Sequence, residues 1–456
     1  MSTAITSQAP SLNYDSVAKP YAHSTIQLNR IYADQGTSIT GSASGGDIVR
    51  FKLWSGGQAL CHNLDVLRFV STPTATTHYA AQWVNNIMLQ TIALNSQSGL
   101  SVESLVYLNY MMAMLGPYQT KFQDVQCSSS GSDGAGTIEI VPFTAHLQGN
   151  AATVGSRFNG TNNYAISAVY QEVQTAVLGG SGTATPVLTW NIQMRCLPPS
   201  IWTTPQAVKW QEPLELLITF ANPAQLLIDV SSNDLTYSNM IAWAGTTIAY
   251  SSISYFLATE KNLEINNRLQ DDVNKHGLVI LKPHMVVNRI VTPTTTSVGY
   301  QVNYSSSMFA KLQRVWFSLF TGTNTIANSY NNSNVSGSAK ITNFYTYINN
   351  VPTQTFMPLT LSTFDDYNVM KPMMRDSCIQ DQSSFYFRWA YCDSFIGDGD
   401  GISLTMKGPI NAGLSLREGD ITYSMQATTA SASYILFIIA QGLRELHITA
   451  QGTYFV

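Results

Sequence analysis

Strand-like segments follow one another along this 456-residue chain with little between them but turns. In the first part they read DIVRFKLW (47–54), WVNNIMLQTIAL (83–94), GTIEIVPFTAHL (136–147), PVLTWNIQM (186–194), PLELLITFA (213–221) and SSISYFLATEKNLEI (251–265). Later come LVILKPHMVVNRIV (278–291), SVGYQVNYSS (297–306), KLQRVWFSLF (311–320), KITNFYTYI (340–348), FYFRWAYCDSF (385–395), DGISLTMKG (400–408) and ITYSMQA (421–427). They are rich in β-branched and aromatic residues, which suit a pleated, half-buried surface, and Gly, Pro, Ser and Asn clusters bound them. The fold class is therefore all-β with a few short helices. Pro283 and Pro352 cannot donate to a ladder, which assigns their segments to sheet edges or strand starts. One stretch of the first half, SVESLVYLNYMMAML (101–115), reads as a helix, with Ser101 as N-cap and Gly116-Pro117 as stop.

The chain ends on YILFIIAQGLRELHITAQGTYFV (434–456), its most apolar and most strand-like segment. Termini are usually polar and frayed. Here Leu443, Glu445, His447 and Thr449 alternate with Arg444, Leu446, Ile448 and Ala450, the period of a half-buried strand. The expectation is two strands separated by a turn at Gly442, lying in the middle of a sheet.

A soft prior of about 150 residues per domain, stretching to about 250 for β domains, makes two large domains the simplest division. NNRLQDDVNKHG (266–277), the most charged short stretch, reads as a linker or short helix, so the boundary is expected near residue 270. The second part then holds about eight strands, the number that builds a jelly roll from doubled Greek keys. The halves also agree in the order of their elements, each ending on a closing pair of strands. SSSGSDGAGT (128–137), LGGSGTATP (178–186) and TGTNTIANSYNNSNVSGSA (321–339) read as exposed loops.

Charged residues make up only 11% of the chain, well below the roughly 25% of an average soluble protein. Ser, Thr, Asn and Gln replace them, a surface suited to burial against copies of itself. The 23 basic and 27 acidic side chains give a net charge of −4, with no basic face of a nucleic-acid binder. The N-terminal stretch 1–24 holds one lysine and no arginine and lacks the basic and apolar regions of a signal peptide; it is expected to be an arm. Cys61, Cys127, Cys196, Cys378 and Cys392 are odd in number and form no CxxC, so they read as free thiols made in a reducing compartment. No apolar run reaches the roughly 18 residues of a membrane helix.

No GxSxG, HExxH, Walker A or GxGxxG pattern occurs. His23, His62, His78, His146, His276, His284 and His447 are scattered, without zinc-helix spacing. IGDGDG (396–401) offers Asp398 and Asp400 as oxygen ligands, but no glutamate follows eleven residues after Asp398; it reads as a Gly-rich turn, with an ion at a subunit contact as the other option. Asp271-Asp272 and Asp365-Asp366 are adjacent carboxylates, and a glycosidase needs its pair across a cleft; they read as solvated turn residues. The glycan-acceptor matches at Asn159, Asn303, Asn331 and Asn334 read as fortuitous without a signal peptide. Trp54, Trp83, Trp190 and Trp316 are expected in the core, while Trp202 and Trp210 flank TTPQAVK outside strong strands and are candidates for an intersubunit anchor. No catalytic, cofactor-binding or metal-binding residue is expected.

Three segments carry a resemblance: NNIMLQTIALNSQSGLSVESLVYLNYMMAML, ELLITFANPAQLLIDV with ISYFLATEKNLE, and MKGPINAGLSLREGDITYSMQATTASASYILFIIAQGLRELHITA. Taken in order they resemble the double jelly-roll major capsid proteins of the tailless double-stranded DNA virus lineage, the virophage and polinton-like branch most closely. The resemblance implies an arm (1–24), a first jelly roll (25–262), a linker (263–277) and a second jelly roll (278–456). It also implies a homotrimer of pseudo-hexagonal outline that builds an icosahedral virion shell. Partners would be the chain itself, neighbouring capsomers, and penton and minor capsid proteins. Such a protein is no enzyme and needs no cofactor. A secreted carbohydrate-binding tandem β-sandwich or a jelly-roll glycoside hydrolase is the alternative; either would usually carry a signal peptide and a carboxylate-and-aromatic cleft.

Overall fold

The structure, a computed structural model, describes residues 24–41, 46–54, 56–73, 79–81, 89–111, 137–140, 145–148, 164–167, 188–222, 227–229, 241–242, 247–292, 298–321, 339–352, 359–361, 390–395, 413–417, 419–429 and 434–455. Up to residue 260 the strands are β1 (Ile26–Tyr32), β2 (Ile39–Thr40), β3 (Ile48–Leu53), β4 (Val66–Pro73), β5 (Tyr79–Ala81), β6 (Leu89–Ser96), β7 (Ser101–Leu105) and β8 (Thr137–Ile140). They continue as β9 (Ala145–Gln148), β10 (Tyr164–Ser167), β11 (Leu188–Gln193), β12 (Leu214–Phe220), β13 (Leu227–Asp229), β14 (Ile241–Ala242) and β15 (Ile248–Glu260). Helix α1 (Leu263–Lys275) follows. Beyond it lie β16 (Leu278–Thr292), β17 (Val298–Tyr304), β18 (Lys311–Thr321), β19 (Ala339–Ile348), β20 (Val351–Pro352) and β21 (Leu359–Leu361). The chain finishes with β22 (Ala390–Ser394), β23 (Leu414–Ser415), β24 (Ile421–Thr429), β25 (Tyr434–Thr449) and β26 (Gly452–Phe455).

The pairing repeats itself. Before α1, one sheet runs β1-β15-β4-β11, with β8 added in parallel, and another runs β3-β12-β6-β7. After α1, the sheets are β16-β25-β18-β22 and β17-β24-β19-β20. If the eight principal strands of each half are counted in chain order, both halves read 1-8-3-6 and 2-7-4-5. The period-2 burial that the sequence predicts is seen in β3 and β12, where Val49, Phe51 and Leu53 face Leu214, Leu216 and Ile218 across the ladder. Small sheets β10-β9 and β14-β13-β5 lie outside this scheme.

The end of the chain is central, as its pattern requires: β25 lies between β16 and β18. The turn expected at Gly442 is absent. Residues 434 to 449 form one strand, and the reversal comes at Ala450-Gln451 before β26. Glycine is needed at 442 for a different reason. A Cβ there would fall inside contact distance of the Lys311 carbonyl oxygen and the Phe309 ring, so Gly442 permits close approach between strands.

Three other sequence expectations change. Residues 101 to 105 of the expected helix form strand β7, paired with β6 through a turn in which Gly99 has φ of 92°. Helical structure begins only at Leu108, after Tyr107 turns the chain with φ of 53°. The strand expected to reach residue 265 stops at Glu260, because Asn262 caps α1 by accepting from the Glu264 and Ile265 amides at 2.9 and 3.4 Å. The segment 136–147 divides into β8 and β9, which pair with different partners. The expected loops 128–136, 178–186 and 322–338 lie outside the described residues, as do residues 400–408.

Pro283 stands in β16 and Pro352 in β20, both edge strands among the described residues, where a missing donor is tolerated. In α1, Ile265, Leu269 and Val273 follow helical spacing and are buried; Ile265 and Leu269 pack with Ala59, Ala207 and Ala258, closing one outer corner of the first half.

Candidate functional site

The largest apolar cluster is continuous across both halves. From the first half it takes Phe51, Phe69, Leu94, Leu108, Met111, Trp202, Ile218 and Tyr255, and from the second Trp316, Ile435, Phe437 and Ile439. The second half has its own core from the opposite face of β25, where Leu436, Ile438 and Ala440 meet Val315, Phe317, Tyr304 and Tyr423. Strand alternation thus sends successive β25 side chains into two different cores. The Tyr110 ring stacks on Phe437 with centroids 4.8 Å apart, and Tyr107 meets Phe437 edge-on at 5.8 Å. These contacts form a seam between the halves.

A charged group is sealed into that seam. Glu103 of β7 and Lys282 of β16 are fully buried, with Lys282 Nζ 2.6 Å from Glu103 Oε2. Lys282 Nζ also donates to the Val102 carbonyl at 2.7 Å, and the Ile201 amide donates to Glu103 Oε2 at 2.9 Å. His284 Nδ1 stands 3.4 Å from the other carboxylate oxygen. The Phe455 ring of β26 covers Lys282 and stacks under the Arg444 guanidinium, 4.0 Å from its centroid. Burial alone would push the Glu103 carboxyl up; Lys282, with help from His284, overrides it and holds the pKa at about 2. Burial lowers the pKa of Lys282, and its contact with Glu103 opposes that shift.

A second buried network fills the first half. The Trp210 indole N–H donates to His62 Nε2 at 2.9 Å, which leaves Nε2 unprotonated and assigns the His62 proton to Nδ1. Nδ1 then donates to Asp65 Oδ2 at 3.0 Å. The Tyr255 hydroxyl donates to the same oxygen at 2.7 Å, the Ala258 amide to Oδ1 at 2.7 Å, and Trp202 Nε1 to the Tyr255 hydroxyl at 3.2 Å. A His–Asp pair invites comparison with a catalytic dyad, but here the nitrogen that would act as base is capped by an indole. Cys61 beside it has its thiol pushed up to about 12, by burial first and then by Glu260 and Asp65, so it is no thiolate nucleophile. Desolvation also raises the Asp65 carboxyl. This network holds the core in register and offers no surface to a substrate.

Trp202 and Trp210 therefore do not anchor a neighbouring subunit. Both are buried in their own chain, because the non-strand segment around them crosses the core and its indole N–H groups find partners there. Trp316 is in the core as expected, whereas Trp54 lies just past β3 and is half exposed. Asp271 and Asp272 are helical, not turn, residues, and Asp271 is 3.7 Å from Lys275. His276 caps the end of α1, and His447 stacks on Tyr454. Asn303 donates its side-chain amide to Asp420. Asp365, Asp366, Asp398 and Asp400 lie outside the described residues, as do Trp83, Asn159, Asn331 and Asn334. Among the described residues, no group of three His, Cys, Asp or Glu side chains converges on a metal position, and no helix is long and apolar enough to cross a membrane.

No protein-family model matches the chain, and no curated protein matches it in sequence. Solved structures do match, over nearly its full length. The capsid of the virus PBCV-1 aligns with 97% of this chain and 99% of its own at a TM-score of 0.54 and 12% identity. The Sputnik virophage structure covers 98% of this chain and 92% of its own, with TM-score 0.52 and 13% identity. The Faustovirus major capsid protein covers 96% and 93%, with TM-score 0.50 and 9% identity. The chain is a double jelly roll. Its repeated 1-8-3-6 and 2-7-4-5 orders are two jelly rolls in series, aligned end to end with those structures. The Glu103–Lys282 pair joins β7 of the first roll to β16 of the second, and neither residue was singled out from sequence. The available signal was a lone charge inside each apolar strand, SVESL and LVILKPH.

Proposed function

We propose that this chain is the major capsid protein of an icosahedral double-stranded DNA virus, a structural subunit that works by associating with itself. One observation carries the reading: two jelly rolls of identical strand order are welded through a shared core and a desolvated ion pair into a single block. Three such blocks supply six similar lobes, which is the outline needed to tile a hexagonal lattice. The division into an arm (1–24), a first roll (25–262), a linker (263–277) and a second roll (278–456) belongs to this reading. So do the homotrimer, its contacts with neighbouring capsomers and with penton and minor capsid proteins, and a place in the virion. The low charge content supports it, since a surface consumed by contacts has little use for solvated charge. The fold neighbours are capsid structures, which supports a non-enzymatic role over the lectin or hydrolase alternative. Electron microscopy of the purified protein tests the reading: pseudo-hexagonal trimers or shells are expected, and a population of single chains would refute it.

A further inference from the structure

Lys282 of β16 and Arg444 of β25 stand directly opposite each other across the ladder of the second roll. Like charges in that position repel. What offsets them comes from the other roll: the Glu103 carboxylate of β7 takes Lys282 at 2.6 Å and attracts the Arg444 guanidinium as well. Glu445, next along β25, points to the opposite face and pairs with Arg417. Among the described residues, Glu103 is the one anion acting on Lys282, Arg444 and His284. The joint between the rolls thus sets a single negative charge against two positive ones.

His284 lies two residues beyond Lys282 on the same face of β16, with Nδ1 3.4 Å from the second oxygen of Glu103. Its ladder partner is Gly442, and the space a side chain would take there is filled by the Phe309 ring, whose centroid is 5.7 Å from that of the imidazole. The ring is therefore held in place between an aromatic face and a carboxylate. Nδ1 carries the proton it donates to Glu103, which makes Nε2 the basic nitrogen; among the described residues Nε2 has no protein hydrogen-bond partner. In this it differs from His62, whose Nε2 is occupied by the Trp210 indole N–H. A proton can also reach it: 15% of the His284 side chain is exposed, while Glu103 and Lys282 show none of theirs. Burial first, and then Lys282 and Arg444, hold the His284 pKa below its ordinary 6.5 against the pull of Glu103.

We propose that His284 makes the seam between the rolls a proton-operated latch: in mildly acidic surroundings a proton taken up at Nε2 sets a third cation around one carboxylate and loosens β7 from β16. The closed seam prefers the neutral imidazole, so its hold is complete above about pH 6.5 and weakens as pH falls toward the folded value. Within that window opening becomes about tenfold easier per pH unit. Glu103 keeps its charge throughout, since its own pKa is about 2. The latch belongs to a single chain and does not depend on assembly.

Hydrogen exchange read by mass spectrometry on the full-length chain tests it, at about pH 7 and about pH 5 and corrected for the pH dependence of intrinsic exchange. The reporters are the amides of β7 and of Ile201, which donates to Glu103, with those of β12 as control. In the wild type, protection of β7 and Ile201 is expected to fall on acidification while β12 keeps its own. His284→Gln retains a donor for Glu103 and cannot take up a proton, so its β7 and Ile201 protection should be the same at both values; His284→Asn serves if that chain fails to fold. Wild-type protection of β7 and Ile201 that does not change overturns the latch, with or without a folded variant. A fall of equal size in the variant overturns the role of His284. A fall as large in β12 as in β7 overturns the seam as the place where the proton acts.

Discussion

Replacing Glu103 with Gln tests how the two rolls are held together. The substitution keeps the side chain's shape and an oxygen that the Ile201 amide and Lys282 can share, and leaves the Lys282 ammonium in the seam without its counter-charge. Two routes give the cost. The carboxyl falls from an ordinary 4.5 to about 2 on folding, and at about 1.4 kcal/mol per pH unit this is about 3 kcal/mol of stability. Breaking a buried pair by removing one partner costs about 3–5 kcal/mol in general. The routes agree, and for one cooperative block of 456 residues the loss should lower the melting temperature by on the order of 3 °C.

The sign with pH is fixed. A carboxyl with depressed pKa contributes its stability in full above the unfolded value and loses it as pH falls through the folded value. The gap between wild type and Glu103→Gln should be constant above about pH 5, shrink between about 4.5 and 2, and vanish below. Burial also lowers the pKa of His284, which faces Glu103 alongside Lys282 and Arg444, so its protonation adds to the acid-side loss in the wild type. Replacing both partners, Glu103→Leu with Lys282→Met, should recover most of the stability, because the penalty lies in the stranded charge. Denaturant melts across a pH series decide it. A Glu103→Gln cost below about 1 kcal/mol, or a gap independent of pH, would refute the buried-pair account.

Other expectations follow from the same packing. Deleting Leu443–Val456 removes Leu443, Leu446 and Ile448 from the cores at about 1.5–3 kcal/mol each, so soluble expression should be lost; a truncated chain with a cooperative melt would count against a central β25. Gly442→Ala should cost about 1–3 kcal/mol by overpacking against Phe309, and a neutral result in a thermal melt would mean the strands have room to part. Light scattering of the proposed trimer in molar salt should show no dissociation, because screening weakens exposed charge contacts and leaves apolar ones intact. Protease digestion of assembled particles should cut first within residues 321–339, whose polar sequence has little core to join.

Which features could be read from residues alone follows from how far each signal reaches. Alternation is local, and it places β3, β12, β17, β18 and β24 within a residue or two. Helical spacing in SVESLVYL is also local but ambiguous, since a strand between two rolls is buried on both faces: Val102 and Leu105 enter the core and Glu103 enters the seam. Gly442 looks like a turn because composition does not distinguish a glycine that bends from one that lets strands approach. Trp202 and Trp210 sit in a segment without periodicity, which reads as surface, and only the tertiary fold brings Tyr255 and His62 to their indoles. Lys282 finds Glu103 across 179 residues, a choice no local pattern records.

The placement of β25 explains why so much is invested at the end of the chain. A jelly roll standing alone needs one apolar face on its eighth strand, and the other can be polar. In the first roll β15 follows that economy in part: Tyr255 and Leu257 point inward, while the outward row mixes polar Ser254 and Glu260 with apolar Phe256 and Ala258. In β25 both faces are apolar from Ile435 to Ala440, because one serves the second roll's core and the other meets the first roll. Separating the rolls would expose Ile435, Phe437, Ile439 and Trp316 together and strand Lys282 and Glu103 without each other. Hinge motion between the rolls is thereby opposed by apolar burial and by desolvated charge at once. On the proposed capsid reading, a subunit must hold its angle while its neighbours pull on it, and the most apolar strand of the chain is spent on fixing that angle.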